Sequence, residues 1–152
     1  LRATARRVGG EIVVDVEVEN RHTGHSFPSG LPDRHALLLV SASDGGGALA
    51  QTGGPALPAA AERTGAGQLY GRRLADADGS EPVFYAFAVR DAAPDTRLGP
   101  GAIDRASFRF AASGAGGPAE VRVEILHRRR FPSQAPDAAL ETSGDRLRLP
   151  VP

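Results

Sequence analysis

Between two stretches of strand pattern, Glu11–Glu19 and Ala36–Ser43, lies a segment that can be neither a regular helix nor a central strand: Asn20-Arg21-His22-Thr23-Gly24-His25-Ser26-Phe27-Pro28-Ser29-Gly30-Leu31-Pro32-Asp33-Arg34-His35. Pro28 and Pro32 lack the amide donor that helices and ladders both need, and Gly24 and Gly30 loosen the backbone between them. Such a loop is held by its ends and shaped by its own residues. It presents side chains at one end of a sheet, where binding groups tend to collect. Three of the four histidines lie in it.

The flanks set the fold class. Ile12, Val14, Val16 and Val18 alternate with Val13, Asp15, Glu17 and Glu19, a period of two that gives a strand one buried face. Leu37-Leu38-Leu39-Val40 is a continuous apolar run, as in a strand buried on both sides. Asp44-Gly45-Gly46-Gly47 is a turn, and the Ala48–Gln51 stretch begins its return strand. Further strands are expected over Gln68–Leu74, over Val83–Ala88 with Tyr85 and Phe87 on one face, over Arg105–Phe110, and around Val121, Val123 and Ile125. Leu147 and Leu149 read as a final edge strand stopped by Pro150. Residues 1–8 are basic and weakly patterned, and the Ala59–Arg63 stretch offers one helical turn. Phe84, Tyr85, Phe87, Phe108 and Phe110 are expected to supply much of the core's bulk. Short strands between Gly/Pro turns, with no convincing helix and no fixed-period repeat, predict an all-β protein. Its expected form is a single antiparallel β-sandwich, immunoglobulin-like, of about seven strands over residues 1–152.

Composition excludes several roles. Eighteen basic and eighteen acidic residues cancel, so no global field draws nucleic acid or an anionic membrane. The basic residues are all arginine, which reads as a compositional bias along with the heavy Ala, Gly and Pro usage. There is no cysteine, hence no disulfide, no thiol nucleophile and no covalent c-type haem attachment within the chain. No apolar run approaches the roughly 20 residues of a membrane span. Leu1 in place of methionine is read as the start of a mature chain or of a fragment.

Imidazoles ligate zinc, copper and haem iron, so His22, His25 and His35 are the candidate metal residues. An H-x-x-H pair in a turn-rich loop carries little specificity, and no thiolate completes the set. The competing reading is a hydrogen-bonded structural loop in which Asn20 and Ser26 cap turns, the glycines supply positive φ, and Arg34 pairs with a carboxylate. No catalytic residue is assigned: Ser26 and Ser29 sit in no G-x-S-x-G elbow, and phosphate-binding glycine patterns are absent. Asp76-Ala77-Asp78-Gly79 falls short of a calcium loop and reads as a solvated turn. Arg128-Arg129-Arg130 is read as a solvated strand end, with an acidic neighbour or a haem propionate as alternative partners.

The pattern Asn20-(x)3-Gly24-His25-x-Phe27-Pro28-Ser29-Gly30-(x)3-Arg34, followed by an apolar strand and Asp44-Gly45, resembles the C-terminal β-domain of periplasmic or extracellular multihaem c-type cytochromes. Two later pieces are similar to that family's layout: Arg97-Leu98-Gly99-Pro100-Gly101 before a strand, and Val123 to Pro132 at a strand end. The departure is the missing C-x-x-C-H, so this chain holds no haem covalently. The resemblance implies that His25 is a distal axial ligand to a haem carried by a partner domain or subunit, and leaves His22 unassigned. It implies a non-enzymatic, periplasmic or extracellular electron-transfer domain that packs on haem-bearing protein. Two alternatives stand beside it: an immunoglobulin-like adhesion or scaffolding module with no redox role, and a small metal-binding protein using the three histidines.

Overall fold

The alternation at Ile12, Val14, Val16 and Val18 becomes a strand whose even-numbered side chains are all buried, and the molecule is assembled around it. The computed structural model describes residues 1–81, 88, 90–92, 94–112, 117–134 and 141–152. Within these, eleven strands follow in order: β1 (Arg2–Val8), β2 (Glu11–Glu19), β3 (His35–Asp44), β4 (Gly47–Ala48), β5 (Gln51–Gly53), β6 (Gly67–Tyr70), β7 (Leu74–Ala75), β8 (Arg90–Asp91), β9 (Ile103–Ala111), β10 (Ala119–Arg128) and β11 (Glu141–Val151).

One sheet has the order β1-β2-β9-β5; the other runs β11-β10-β3-β4, with β6 also paired to β3. β7 and β8 form a separate two-stranded ribbon. All pairings are antiparallel. The two larger sheets pack face to face. Ile12, Val14, Phe108 and Phe110 of the first meet Leu38, Val40, Val121 and Val123 of the second in one continuous core. This is the expected all-β antiparallel sandwich, with eleven strands where about seven were expected. The surplus consists mainly of pieces too short to show a period. Basic residues 1–8, which looked unpatterned, form edge strand β1, because alternating arginines face water while Ala3 and Ala5 pack on the core.

The run Leu37–Val40 is indeed buried on both faces. Leu38 and Val40 face the sandwich, while Leu37 joins Ala61, Leu69, Leu126 and Phe131 in a second cluster on the outer side. The expected helical turn is a short 3-10 turn at Ala59–Ala61 that lids this cluster. The return from the Asp44 turn is split: β4 pairs back on β3, and β5 crosses to pair with β9. The expected strand at Gln68–Leu74 is divided between β6 and β7. Pro150 lies within β11 rather than ending it, which an edge strand permits. The strand expected over 83–88 lies, apart from Ala88, outside the described residues, as do the core roles of Phe84, Tyr85 and Phe87 and most of the turn at 113–118. Among the described residues no helix is long and apolar enough to cross a membrane.

β6 approaches β3 so closely that only glycine fits at its start: a Cβ on Gly67 would stand 2.1 Å from the Leu38 carbonyl oxygen. Gly67→Ala is therefore expected to lower stability by about 1–3 kcal/mol, the range of an overpacked core. Gly10→Ala, whose Cβ would meet nothing within 4 Å, should change it by less than about 0.5 kcal/mol. Urea unfolding midpoints of the two variants test the contrast.

Candidate functional site

Asn20, just past the end of β2, is almost wholly buried, and every polar group it has is used. Its backbone amide donates to the Ala102 carbonyl at 3.0 Å, and its own carbonyl accepts from the Gly101 amide at 2.9 Å. Its side-chain Nδ2 donates towards the carbonyls of His25 at 2.8 Å, Leu98 at 2.9 Å and Gly99 at 3.1 Å. Two hydrogens serve three acceptors, so one is shared. Thr23 Oγ1 stands 2.7 Å from Asn20 Oδ1 and 2.9 Å from the His25 carbonyl, and its single proton serves one or the other. Phe27 and Leu98 then exchange backbone hydrogen bonds, both at 2.8 Å. The histidine loop is thus pinned to residues 98–102, the turn that feeds β9. The Phe27–Pro28 peptide bond is cis.

This pinning leaves His25 outside. Its ring is exposed, and its Nδ1 lies 3.2 Å from the Ser26 carbonyl. A carbonyl only accepts, so Nδ1 carries the proton of the neutral ring and Nε2 keeps its lone pair. Nε2 has no hydrogen-bond partner among the described residues.

His35 has the opposite fate. It opens β3 with only 1% of its surface exposed. Its ring stacks on Phe131 at a centroid distance of 4.0 Å, and its Nδ1 donates to the Asp33 carbonyl at 3.0 Å. Its Nε2 is buried with no partner. Burial drives its pKa down from 6.5 to about 4; the Arg128 guanidinium adds to the shift, while the Asp33 carbonyl and the Glu62 and Glu141 carboxylates oppose it. The ring is therefore neutral at pH 7. His22 is exposed, with its backbone in the left-handed region at φ 58°. Among the described residues no three His, Asp or Glu side chains are placed to hold a metal ion. His22, His25 and His35 do not come together as such a set.

What does come together is a cleft of about 510 Å³ between the histidine loop and the ends of β10 and β11. Its walls include His25, His35, His127, Arg34, Arg128 and Arg129. Phe27 and Pro28 give it an apolar side, and the His127 ring meets Phe27 edge-on at 5.4 Å. None of the described residues lining it is Asp or Glu. The arginine run is not uniformly solvated. Arg128 is buried and bound to Glu141 at 2.6 Å and to the Ala61 carbonyl at 2.6 Å, while Arg129 and Arg130 are exposed. The acidic neighbour is thus Glu141, and Arg128 is the residue it holds.

Arg34 was expected to pair with a carboxylate and has no such partner among the described residues. His127 entered the sequence reading only within the segment Val123 to Pro132, with no role assigned. The signal for His127 was the antiparallel pairing of β10 with β3, which sets it opposite Ala36, one residue past His35. A second cleft, of about 340 Å³, lies beside Tyr70. There the Tyr70 hydroxyl donates to Asp104 at 2.7 Å, and burial followed by that bond pushes its pKa up, so the group holds structure. No protein-family description, curated protein or solved structure matches the chain.

Two outcomes are expected here. Asn20→Ala strips a donor from three carbonyls and should cost about 1–3 kcal/mol. It should also speed amide hydrogen exchange at Phe27 and Leu98 more than in the core of β2. For His35, the unfolded ring takes up a proton near 6.5 and the folded one only near 4. Between those values the unfolded chain binds more protons, so stability falls as pH falls. The wild type should lose about 2 kcal/mol from this group between pH 7 and 5, and His35→Gln should lack that loss in urea titrations at the two pH values.

Proposed function

We propose that this chain is a non-enzymatic β-sandwich domain of a multihaem cytochrome electron-transfer assembly, outside the cytoplasm, that packs on haem-bearing protein and supplies His25 as a distal axial ligand. The observation that carries the proposal is the state of the His25 ring: exposed, with Nδ1 held by the Ser26 carbonyl and Nε2 unengaged at the mouth of an open cleft. Bis-histidine haem iron needs a neutral imidazole nitrogen delivered from a fixed support, with a hydrogen bond fixing the opposite ring nitrogen. The Nδ1 contact to the Ser26 carbonyl and the pinning of the loop by Asn20 support this reading of His25. The cleft falls within the usual 300–1,000 Å³ range for cofactor-sized groups. Its combination of apolar wall and arginine fits an amphipathic porphyrin.

The three sequence segments on which the family resemblance rests also meet in space. The loop is tied to Leu98 and Gly99 by Asn20, and His127 packs against Phe27. With no cysteine, the given sequence attaches no haem covalently, and the proposal takes the haem to be one carried by another domain or subunit. The bound group would supply one-electron chemistry at iron; this chain's part is to present and orient the imidazole and to shield that face from water.

A haem peptide that carries its own proximal histidine and an open sixth position provides the test. Titration with this chain is expected to convert the haem from high spin to low spin, with a shifted Soret band. His25→Ala should abolish the conversion, while His22→Ala should leave it within about two-fold. A wild-type chain that leaves the spectrum unchanged at millimolar concentration would remove the proposal.

A further inference from the structure

Arg34 and Arg129 are the part of the cleft that axial ligation by itself does not use. Most arginines of this neutral chain face a carboxylate: Arg2, Arg6, Arg72, Arg97, Arg105, Arg109, for example, all lie in ion pairs. Inside the cleft Arg128 is likewise neutralised, by Glu141. Arg34 and Arg129 line the same cleft, are exposed, and have no carboxylate partner among the described residues. No acidic side chain among the described lining residues offsets them. Arg34 is also positioned by the backbone. It lies across Gly30, where φ is +97° and a Cβ would stand 3.0 Å from Arg34 Nη1. Guanidinium groups match carboxylates in both charge and planar geometry.

We propose that Arg34 and Arg129 form a receiving site for the carboxylate groups of the haem whose iron His25 ligates. The proposal rests on the reading of His25 given above and adds its charge partner. A haem brought to His25 carries its two acidic side chains into a cleft with two cations that have no carboxylate partner among the described residues. The same pair would disfavour a porphyrin presented with its apolar edge first, so it sets which edge enters.

The haem peptide, the same peptide with its propionates esterified, and isothermal calorimetry separate this claim from the ligation claim. Esterification is expected to weaken binding about ten-fold or more, and Arg34→Gln and Arg129→Gln each to weaken binding of the unesterified peptide several-fold. The low-spin spectrum at saturation should be unchanged in both variants. His25→Ala should lose the low-spin spectrum yet keep binding that is sensitive to esterification. Wild-type binding that depends on the propionates but never becomes low-spin would support the arginine site and overturn ligation. Low-spin binding indifferent to esterification would overturn the arginine site and spare ligation. No heat and no spectral change would overturn both. Circular dichroism of the variants, whose changed side chains are exposed, checks that they fold.

Discussion

One buried amide, the side chain of Asn20, decides where the histidine loop can go. A loop as rich in glycine and proline as residues 20–35 has little hydrogen bonding of its own, and the backbone freedom of its glycines is costly to fix. The structure fixes it with a polar peg at its start. The amide reaches forward to the His25 carbonyl and sideways to Leu98 and Gly99, so a single residue closes the loop on itself and on the turn before β9. Because the partners are main-chain carbonyls, the geometry constrains the backbone directly. The His25 ring is then free of any structural duty beyond its contact with the neighbouring Ser26 carbonyl.

The two well-placed histidines show how burial, rather than residue type, separates roles. Both set Nδ1 against a backbone carbonyl, and Nε2 of neither has a hydrogen-bond partner among the described residues. His35 is sealed between Phe131 and the β3–β10 ladder, beside a guanidinium already committed to Glu141. A cation there would be repelled by Arg128, and access is closed. His25 makes the same kind of Nδ1 contact to a backbone carbonyl but is exposed. Only an exposed, neutral imidazole can be offered to another molecule's metal.

The sandwich was legible because its long strands bury one face and show it: Ile12 to Val18, Val121 to Ile125, and Phe108 with Phe110 are core residues in the expected phase. The doubly buried β3 was legible as an unbroken apolar run. Strands of two or three residues, such as β4, β5, β7 and β8, have too few side chains for a period and exist only through their partners. Arg128 illustrates the limit in another way. Three consecutive arginines look like a solvated end, yet the pleat sends the first of them inward beneath Ala61 and lets the next two out. The loop's place at a sheet end could be read from its punctuation. The cleft could not, because its far wall comes from residues 127–129 and 142, about a hundred positions away in the chain.

Charge distribution gives the cleft its character. With eighteen charges of each sign, the chain has no net field, and most of its arginines are spent in exposed pairs that each contribute little to stability. The outer face of the β1-β2-β9-β5 sheet is a ladder of such pairs, from Arg2 and Arg105 on Glu17 to Arg109 on Glu11. Against this background of local neutrality, a concave surface whose described lining residues include two guanidiniums without a carboxylate partner, and no carboxylate, stands apart, because low-dielectric walls strengthen any charge held between them. The exposed His25 ring beside them offers Nε2, the ring nitrogen not engaged by the Ser26 carbonyl. A ligand that satisfies both features must combine an electrophilic centre with peripheral negative charge, and the spacing of those two features within it would have to match the cleft.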